Sequence, residues 1–154
     1  MAENSSGKWN CKLVSVIHEV KKAAGLLLPL SVLSYEDLRE SPEFSEVWQS
    51  VKIMLISADC VVIHNAPFDL RHLHNILSLY HLPSVSFDYV CSFQLCRHHF
   101  PDAHSHSLNC MADMFGITFQ HRDALEDAET CAKIVSQLEI PENFICRFEY
   151  LQDA

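Results

Sequence analysis

A polar segment that directly follows an apolar run is the first place in this sequence where side chains could carry out chemistry. Residues 60–64 form a short, unbroken, mainly apolar run that ends at His64, which is typical of a strand buried on both faces. Asn65 and Asp69 follow it, at the strand end where open α/β sheets usually bind ligands. Asp69 would also fall in the first turn of the next helix, where the helix dipole favours a carboxylate. A ligand site and the simple stabilisation of a helix start are therefore competing explanations.

A second candidate segment, residues 121–128, opens the last predicted helix. It reads His-Arg-Asp-Ala-Leu-Glu-Asp-Ala and is rich in ionisable side chains. Asp127 shares one helical face with the apolar residues Cys131, Ile134 and Leu138, so it should point towards the edge of the core rather than freely into solvent. The alternative explanation is an acidic helix start with a charged surface.

A third group combines cysteine and histidine, which are the ligands of tetrahedral zinc sites. Its members are Cys91, Cys96, His98, His99, His104, His106 and Cys110. Their spacing lacks the close Cys-x-x-Cys pair that is typical of zinc domains, and the three cysteines also fit core positions. Zinc binding is therefore the less favoured hypothesis. We favour the alternative, in which the cysteines occupy core positions and the histidines lie in a polar loop.

Alternating strands and helices must position these segments. The pattern of apolar residues predicts strands at 13–20, 26–33, 60–64 and 85–90, and helices that start at Ser41-Pro42 and cover 93–100, 108–115 and 123–138, with a further helix after residue 64. Ser107 should cap the helix at 108–115, and Gly116 should end it. This alternation indicates an α/β fold with a mixed sheet flanked by helices.

Length and composition indicate one globular domain. The chain has 154 residues, of which 49% are hydrophobic and 20% charged. We predict an irregular start at 1–7 and a single domain at 8–154. No apolar run is long enough to cross a membrane and no secretory signal is visible, so we expect a cytoplasmic protein with no membrane partner.

The charge and the cysteines restrict the function further. A formal net charge of −9 argues against a protein that coats nucleic acid through a basic surface, although it permits an enzyme whose metal ions contact the phosphates. The seven cysteines are odd in number and several lie among apolar residues, which favours free thiols in a reducing compartment.

Taken together and in order, the two acidic segments resemble the second and third motifs of the DEDD 3′-to-5′ exonucleases of the DEDDh type, a family that includes the proofreading epsilon subunits of bacterial DNA polymerase III. Residues 41–48 are similar to the helix before the second motif, and residues 106–117 to the segment before the third. The resemblance covers residues 35–138 and implies a ribonuclease H-like exonuclease fold.

The resemblance also implies a function and a set of site residues. Such enzymes remove nucleotides from the 3′ end of DNA or RNA with two divalent ions, Mg²⁺ or Mn²⁺, held by carboxylates. It assigns Asp69 and Asp127 as metal ligands and catalytic residues, and His121 as the general base. Substrate contacts would come from His64, Asn65, Phe68 and Arg122. A DNA polymerase subunit is the implied protein partner.

Two departures from the family pattern bear on activity. The family supplies two further carboxylates from an Asp-x-Glu on an early strand, and no Asp-x-Glu precedes Asp69 in this chain. Because this pair is lacking, we expect the family's first strand to be missing or degenerate. Glu19 is the nearest substitute for the lacking carboxylates. The family's general base is a histidine with four residues between it and the third-motif aspartate, a position that Arg122 occupies here, with His121 one residue further away. A guanidinium stays protonated and cannot act as a base. Either the loop shifts His121 into place, or base catalysis is lost.

The sequence therefore leaves three functions open. The first is a 3′-to-5′ exonuclease, of which a polymerase proofreading subunit is one form. The second is a catalytically impaired module that uses the exonuclease fold to bind a strand end. The third, and least favoured, is a zinc-binding domain.

Overall fold

A computed structural model of the chain describes residues 42–120 and 124–152. In chain order the elements are α1 (Phe44–Ser57), β1 (Val61–Ile63), α2 (Ala66–Leu79), β2 (Val85–Cys91), α3 (Ser92–His99), α4 (Leu108–Met114), α5 (Ala124–Val135), a 3-10 turn (Glu142–Phe144) and β3 (Ile145–Tyr150). Strands alternate with helices, which confirms the predicted α/β class.

The three strands form one mixed sheet in the order β1-β2-β3. β1 and β2 are parallel, with Ile63 opposite Cys91, whereas β2 and β3 are antiparallel. The antiparallel register places Asp88 opposite Arg147, and the Arg147 guanidinium lies 2.9 Å from the Asp88 carboxylate. β2 is therefore the central strand of this sheet, and the residues after β1 and β2 emerge at the same edge.

Helices α1 and α2 cover one face of the sheet. Trp48 is fully buried and its ring centroid lies 5.6 Å from that of Phe44. The buried side chains that form this core include Phe44, Trp48, Val51, Leu55, Val61, Ile63, Leu70, Leu73, Leu77, Phe87 and Phe148. The predicted apolar stripes of both helices are thus confirmed in their central positions. Met54 and Tyr80 continue the helical spacing of apolar residues in the sequence, yet they are 36% and 38% exposed.

Helices α3, α4 and α5 form the second layer. Val90 of the central strand packs with Leu95 and Val135 on the face opposite α1 and α2. Behind them, Met111 and Ile134 are buried where α4 packs against α5. Helix α5 also packs against β1 and α3, so it reaches both parallel strand ends.

The helix ends agree with the sequence in two places and differ in two. Gly116 follows the end of α4 as predicted, with a left-handed φ of 68°. Ser107 caps α4 as predicted, because its hydroxyl accepts a hydrogen bond from the Cys110 amide at 3.4 Å. Helix α1 begins at Phe44 rather than at Ser41-Pro42, since Glu43 and Glu46 form a reciprocal capping box there. Helix α5 ends at Val135, before Leu138.

Some predicted elements lie outside the described residues. These are the strands at 13–20 and 26–33, the irregular start at 1–7 and the first residue of the helix predicted at 123–138. Within residues 42–120 and 124–152, none of the helices has the length and apolar character needed to cross a membrane.

Candidate active site

The connection between β1 and α2 is a tight turn at Asn65. Its backbone has φ 59° and ψ 47°, a left-handed conformation that asparagine tolerates better than most residues. The Phe68 amide donates a hydrogen bond to the Asn65 carbonyl at 3.0 Å, which starts the helix. Asp69 lies in the first turn of α2, where the helix dipole favours its negative charge, and is half-buried.

The parallel register of β1 and β2 brings His64 next to Ser92. Because Ile63 pairs with Cys91, the residues that follow each strand emerge side by side. The Nδ1 atom of His64 lies 2.9 Å from the Ser92 hydroxyl oxygen. Ser92 is the first residue of α3 and is buried, while His64 is half-buried with its ring edge-on to Phe93 at 5.9 Å.

Helix α5 completes this contact from the other side. The Cys131 thiol donates a hydrogen bond to the Ser92 hydroxyl at 3.1 Å, and Cys131 is also buried. His64, Ser92 and Cys131, which we call the Ser92 cluster, thus join the end of β1, the start of α3 and the middle of α5. The second and third motifs are held together through this cluster.

Asp69 and Cys131 interact electrostatically. Burial raises the pKa of the Cys131 thiol to about 12, and the nearby Cys96, Cys91 and Asp69 add smaller effects in the same direction, of which that of Asp69 is the smallest. The hydrogen bond with Ser92 opposes this shift. Cys131 is therefore a thiol at neutral pH, and Asp69 is near enough to influence it electrostatically.

Asp127 acts in turn on His64. Burial lowers the pKa of His64 below its ordinary value of 6.5, because the charged imidazolium loses solvation, and the Asp127 carboxylate partly offsets this effect. The His64 ring is neutral at pH 7. Asp127, half-buried in the first turn of α5, therefore lies near the carboxyl end of β1, as does Asp69.

A comparison with models of protein families shows which family has this sequence pattern. The exonuclease (RNase T) family model matches residues 30–135, which is more than half of the chain and includes Asp69, the Ser92 cluster and Asp127. The chain belongs to the exonuclease family. No match was found among curated proteins or among solved structures. The α/β architecture with a mixed sheet is consistent with the ribonuclease H-like fold of exonucleases.

Membership in the exonuclease family has two general consequences. Exonucleases bind nucleic acid, and family members generally use divalent metal ions. The carboxylates of Asp69 and Asp127 are hard oxygen donors of the kind that Mg²⁺ and Mn²⁺ prefer. Both lie half-buried in the first turn of a helix near the Ser92 cluster, and the chemistry of these oxygen donors fits such an ion. Within residues 42–120 and 124–152 they form no group of three or more metal-binding side chains.

The predicted substrate-contact residues lie at the start of α2. Asn65 is exposed at the turn, and Phe68 is 45% exposed. The Phe68 ring packs on His72, with 4.4 Å between the ring centroids. The structure therefore leaves both Asn65 and the Phe68 ring accessible next to Asp69.

Three candidate site residues that the sequence indicated lie outside the part of the chain that the structure describes. His121 and Arg122 precede α5, and Glu19 belongs to the segment before residue 42. Their roles stay predictions. The backbone just before them is anchored to α5, because the Gln120 amide donates a hydrogen bond to the Glu126 carboxylate.

The cysteine and histidine group is distributed over several elements. Cys91 and Cys96 are buried at the end of β2 and in α3, whereas His99 and His106 each hydrogen-bond a backbone carbonyl, of Glu139 and of Phe100. His104 lies 3.6 Å from the Cys110 sulfur. Within the described residues, no three metal-binding side chains of the Cys, His, Asp and Glu types come together.

Sequence reasoning missed the Ser92 cluster. Cys131 was assigned only to an apolar stripe, and Ser92 was given no role. A signal was present, since Ser92 directly follows a strand that runs parallel to the strand before His64, and polar residues after parallel strands meet at one edge. Finding it required the pairing of β1 with β2, which the apolar pattern alone does not give.

Proposed function

We propose that this exonuclease-family chain acts at the 3′ end of a DNA or RNA strand as a metal-dependent 3′-to-5′ exonuclease. The observation that carries the proposal is that Asp69 and Asp127 lie in the first turns of α2 and α5, the two helices that adjoin the Ser92 cluster through His64 and Cys131 at the carboxyl end of β1. This is where open α/β sheets bind ligands, and carboxylates there suit the cations that accompany phosphate.

Each residue of the site has a distinct task in this proposal. Asp69 and Asp127 hold the divalent ion, and a pair of such ions supplies charge stabilisation and an activated water when bound. His64 is uncharged at pH 7, so it can offer a hydrogen bond to the substrate without adding positive charge. Asn65 and the exposed Phe68 ring bound the space for the terminal nucleotide.

The general base is proposed from the sequence. His121 is the nearest histidine ahead of Asp127, and an imidazole titrates close to neutral pH, as a base for water must. Arg122, which stays charged, is assigned to a substrate phosphate. The resemblance to proofreading subunits supports a polymerase subunit as a partner. The odd number of cysteines, several of them among apolar residues, supports the reducing cytoplasm as the location.

A second candidate function is a strand-end binding module with impaired catalysis. It is favoured by one sequence observation, the lack of an Asp-x-Glu ahead of Asp69. Fewer carboxylates weaken the hold on a second ion, and the symmetric clamp on the two reacting oxygens depends on both ions. This module would bind the same substrate at the same site and release nucleotides slowly.

The experiment is a time course of nucleotide release from a 3′-labelled single strand with Mn²⁺ in excess. We expect release well below that of a family member with all four carboxylates, and we expect Asp69→Asn and Asp127→Asn to abolish it. Asp113→Asn, at an exposed position of α4, is the matched control and should retain wild-type release.

The outcomes separate the candidates. Release that the two site variants abolish and Asp113→Asn retains supports the exonuclease. Strand-end binding without release supports the binding module. If the chain neither releases nucleotides nor binds the strand end, both candidate functions are contradicted.

A further inference from the structure

Helix α2 presents a second polar and aromatic surface outside the Ser92 cluster. With 3.6 residues per turn, positions 68, 71, 72 and 75 share one side of the helix, opposite the buried Leu70, Leu73 and Leu77. Phe68, Arg71 and Asn75 are exposed and His72 is half-buried. We call Phe68, Arg71, His72 and Asn75 the outer face of α2.

The two rings on this face are already ordered. The ring centroids of Phe68 and His72 are 4.4 Å apart with 52° between their planes. The His72 Nδ1 atom lies 2.7 Å from the Phe68 carbonyl oxygen. Because a carbonyl only accepts, Nδ1 carries the proton and donates, which fixes the His72 ring. A ring held in this way loses little conformational freedom when a ligand stacks on it.

The charge of α2 differs from that of the rest of the chain. Acidic residues outnumber lysine and arginine by 20 to 11 overall, yet Asp69 is the only acidic residue of α2. Arg71, His72 and His74 lie on the same helix. The Arg71 guanidinium is exposed on the outer face of α2, where its charge complements a phosphate.

The outer face begins at the candidate site and leads away from it. Phe68 precedes Asp69 directly, and the seven steps along the chain from Phe68 to Asn75 rise about 10 Å along the helix. Nucleotides stacked as in a duplex strand are about 3.4 Å apart, so this length accommodates about three of them. The surface is therefore short and continuous with the place of the terminal nucleotide.

We propose that the outer face of α2 binds an unpaired nucleic acid strand just before its 3′-terminal nucleotide. The base of the penultimate nucleotide stacks on the Phe68 and His72 rings, and Arg71 contacts a phosphate on its 5′ side. The inference rests on the proposed function, because that function places the 3′ end beside Asp69. Aromatic platforms with a nearby cation bind unpaired strands, whose base faces are accessible, and a duplex keeps those faces stacked inside.

Equilibrium binding of a 5′-fluorescein-labelled single strand to the full chain tests this surface, with Ca²⁺ replacing Mn²⁺ to hold the carboxylates without rapid turnover. We expect His72→Ala to weaken binding about tenfold, and His72→Phe to restore most of the affinity. Arg71→Gln should weaken binding and lower the slope of log affinity against log salt by about 0.7.

Two control variants and one altered strand make the test specific. His74→Ala removes a histidine of the same helix whose ring packs on Tyr150, and Arg97→Gln removes an exposed arginine of α3. Both should bind as the wild type does. A strand that lacks the penultimate base should bind equally to wild type and His72→Ala, because no base remains to stack.

The results that overturn the inference differ from those that overturn the proposed function. If wild type binds the strand end and both His72→Ala and Arg71→Gln bind equally well, the outer face is not the contact and the proposed function stands. Equal affinity for a blunt duplex would contradict the assignment to an unpaired strand. If wild type binds no strand end at all, both proposals fail.

Discussion

The Ser92 hydroxyl connects residues that are distant in the sequence. It lies 2.9 Å from His64 Nδ1 and 3.1 Å from the Cys131 sulfur, and Ser92 itself is buried. With the pKa of Cys131 raised to about 12, the thiol keeps its proton and donates it to Ser92. The single proton of the Ser92 hydroxyl is then donated to Nδ1, so His64 carries its own proton on Nε2.

Replacing the hydroxyl tests this cluster. Ser92→Ala leaves a buried imidazole nitrogen and a buried thiol without their shared partner, so we expect the free energy of unfolding to fall by about 1–3 kcal/mol. Denaturant unfolding measures it. Ser136→Ala, at an exposed serine that donates to the Lys133 carbonyl, should change stability by less than about 1 kcal/mol. Equal losses in the two variants would contradict a special role for Ser92.

The lowered pKa of His64 predicts a pH dependence of stability. Between that lowered pKa and 6.5 the unfolded chain binds a proton that the folded chain does not. The contribution of the neutral His64 ring to the free energy of unfolding is therefore fully present above about pH 6.5. It falls as the pH drops below 6.5, by at most about 1.4 kcal/mol per pH unit. Unfolding measured with EDTA from pH 8 to pH 5 should show a smaller acid loss in His64→Gln. Parallel profiles for the two proteins would count against the assignment.

At the scale of elements, the apolar pattern predicted most of the described architecture. Strands β1 and β2 and helices α3 and α4 fall within a residue or two of their predicted bounds, because long apolar periods and the Ser107 cap are local signals. The end of α5 was placed too late. Leu138 continues the apolar spacing, yet it lies beyond the helix and packs with the second layer from there.

Strand β3 was missed for a physical reason. Phe148 and Tyr150 are buried and alternate with the exposed Arg147 and Glu149, so a period of two is present over only four residues. Its identity as a strand depends on pairing with β2, a contact between distant parts of the chain. The same holds for the Ser92 cluster, since the register of β1 on β2 creates it.

The start of α1 gives a prediction at this scale. The Glu46 carboxylate accepts a hydrogen bond from the Glu43 amide at 2.8 Å, as one half of the capping box. Glu46→Ala should lower the free energy of unfolding by about 1 kcal/mol, whereas Glu46→Gln can accept the same bond and should lose less. Thermal unfolding of the two variants compares them. If alanine and glutamine lower stability equally, the capping box does not stabilise α1.

At the scale of the whole molecule, the proposed function requires an acidic protein to bind nucleic acid, which is itself a polyanion. The formal net charge is −9, so long-range attraction cannot supply the affinity. In the proposed function this charge is offset locally, by a divalent ion that Asp69 and Asp127 would hold and by the exposed Arg71 on the outer face of α2. Family membership supports nucleic acid binding, while the DNA or RNA preference and the polymerase partner stay predictions from resemblance.

The central claim is that Asp69 and Asp127 form one cation site. Calorimetric titration with Mn²⁺ tests it in wild type, Asp69→Asn, Asp127→Asn and the double variant. Each single substitution should weaken the affinity by at least about tenfold, and the double variant should bind at least as weakly as the weaker single one, because both side chains would be ligands of the same ion. Asp113→Asn is the control and should bind as wild type does. Wild-type affinity in Asp69→Asn or in Asp127→Asn would show that the two carboxylates do not share an ion.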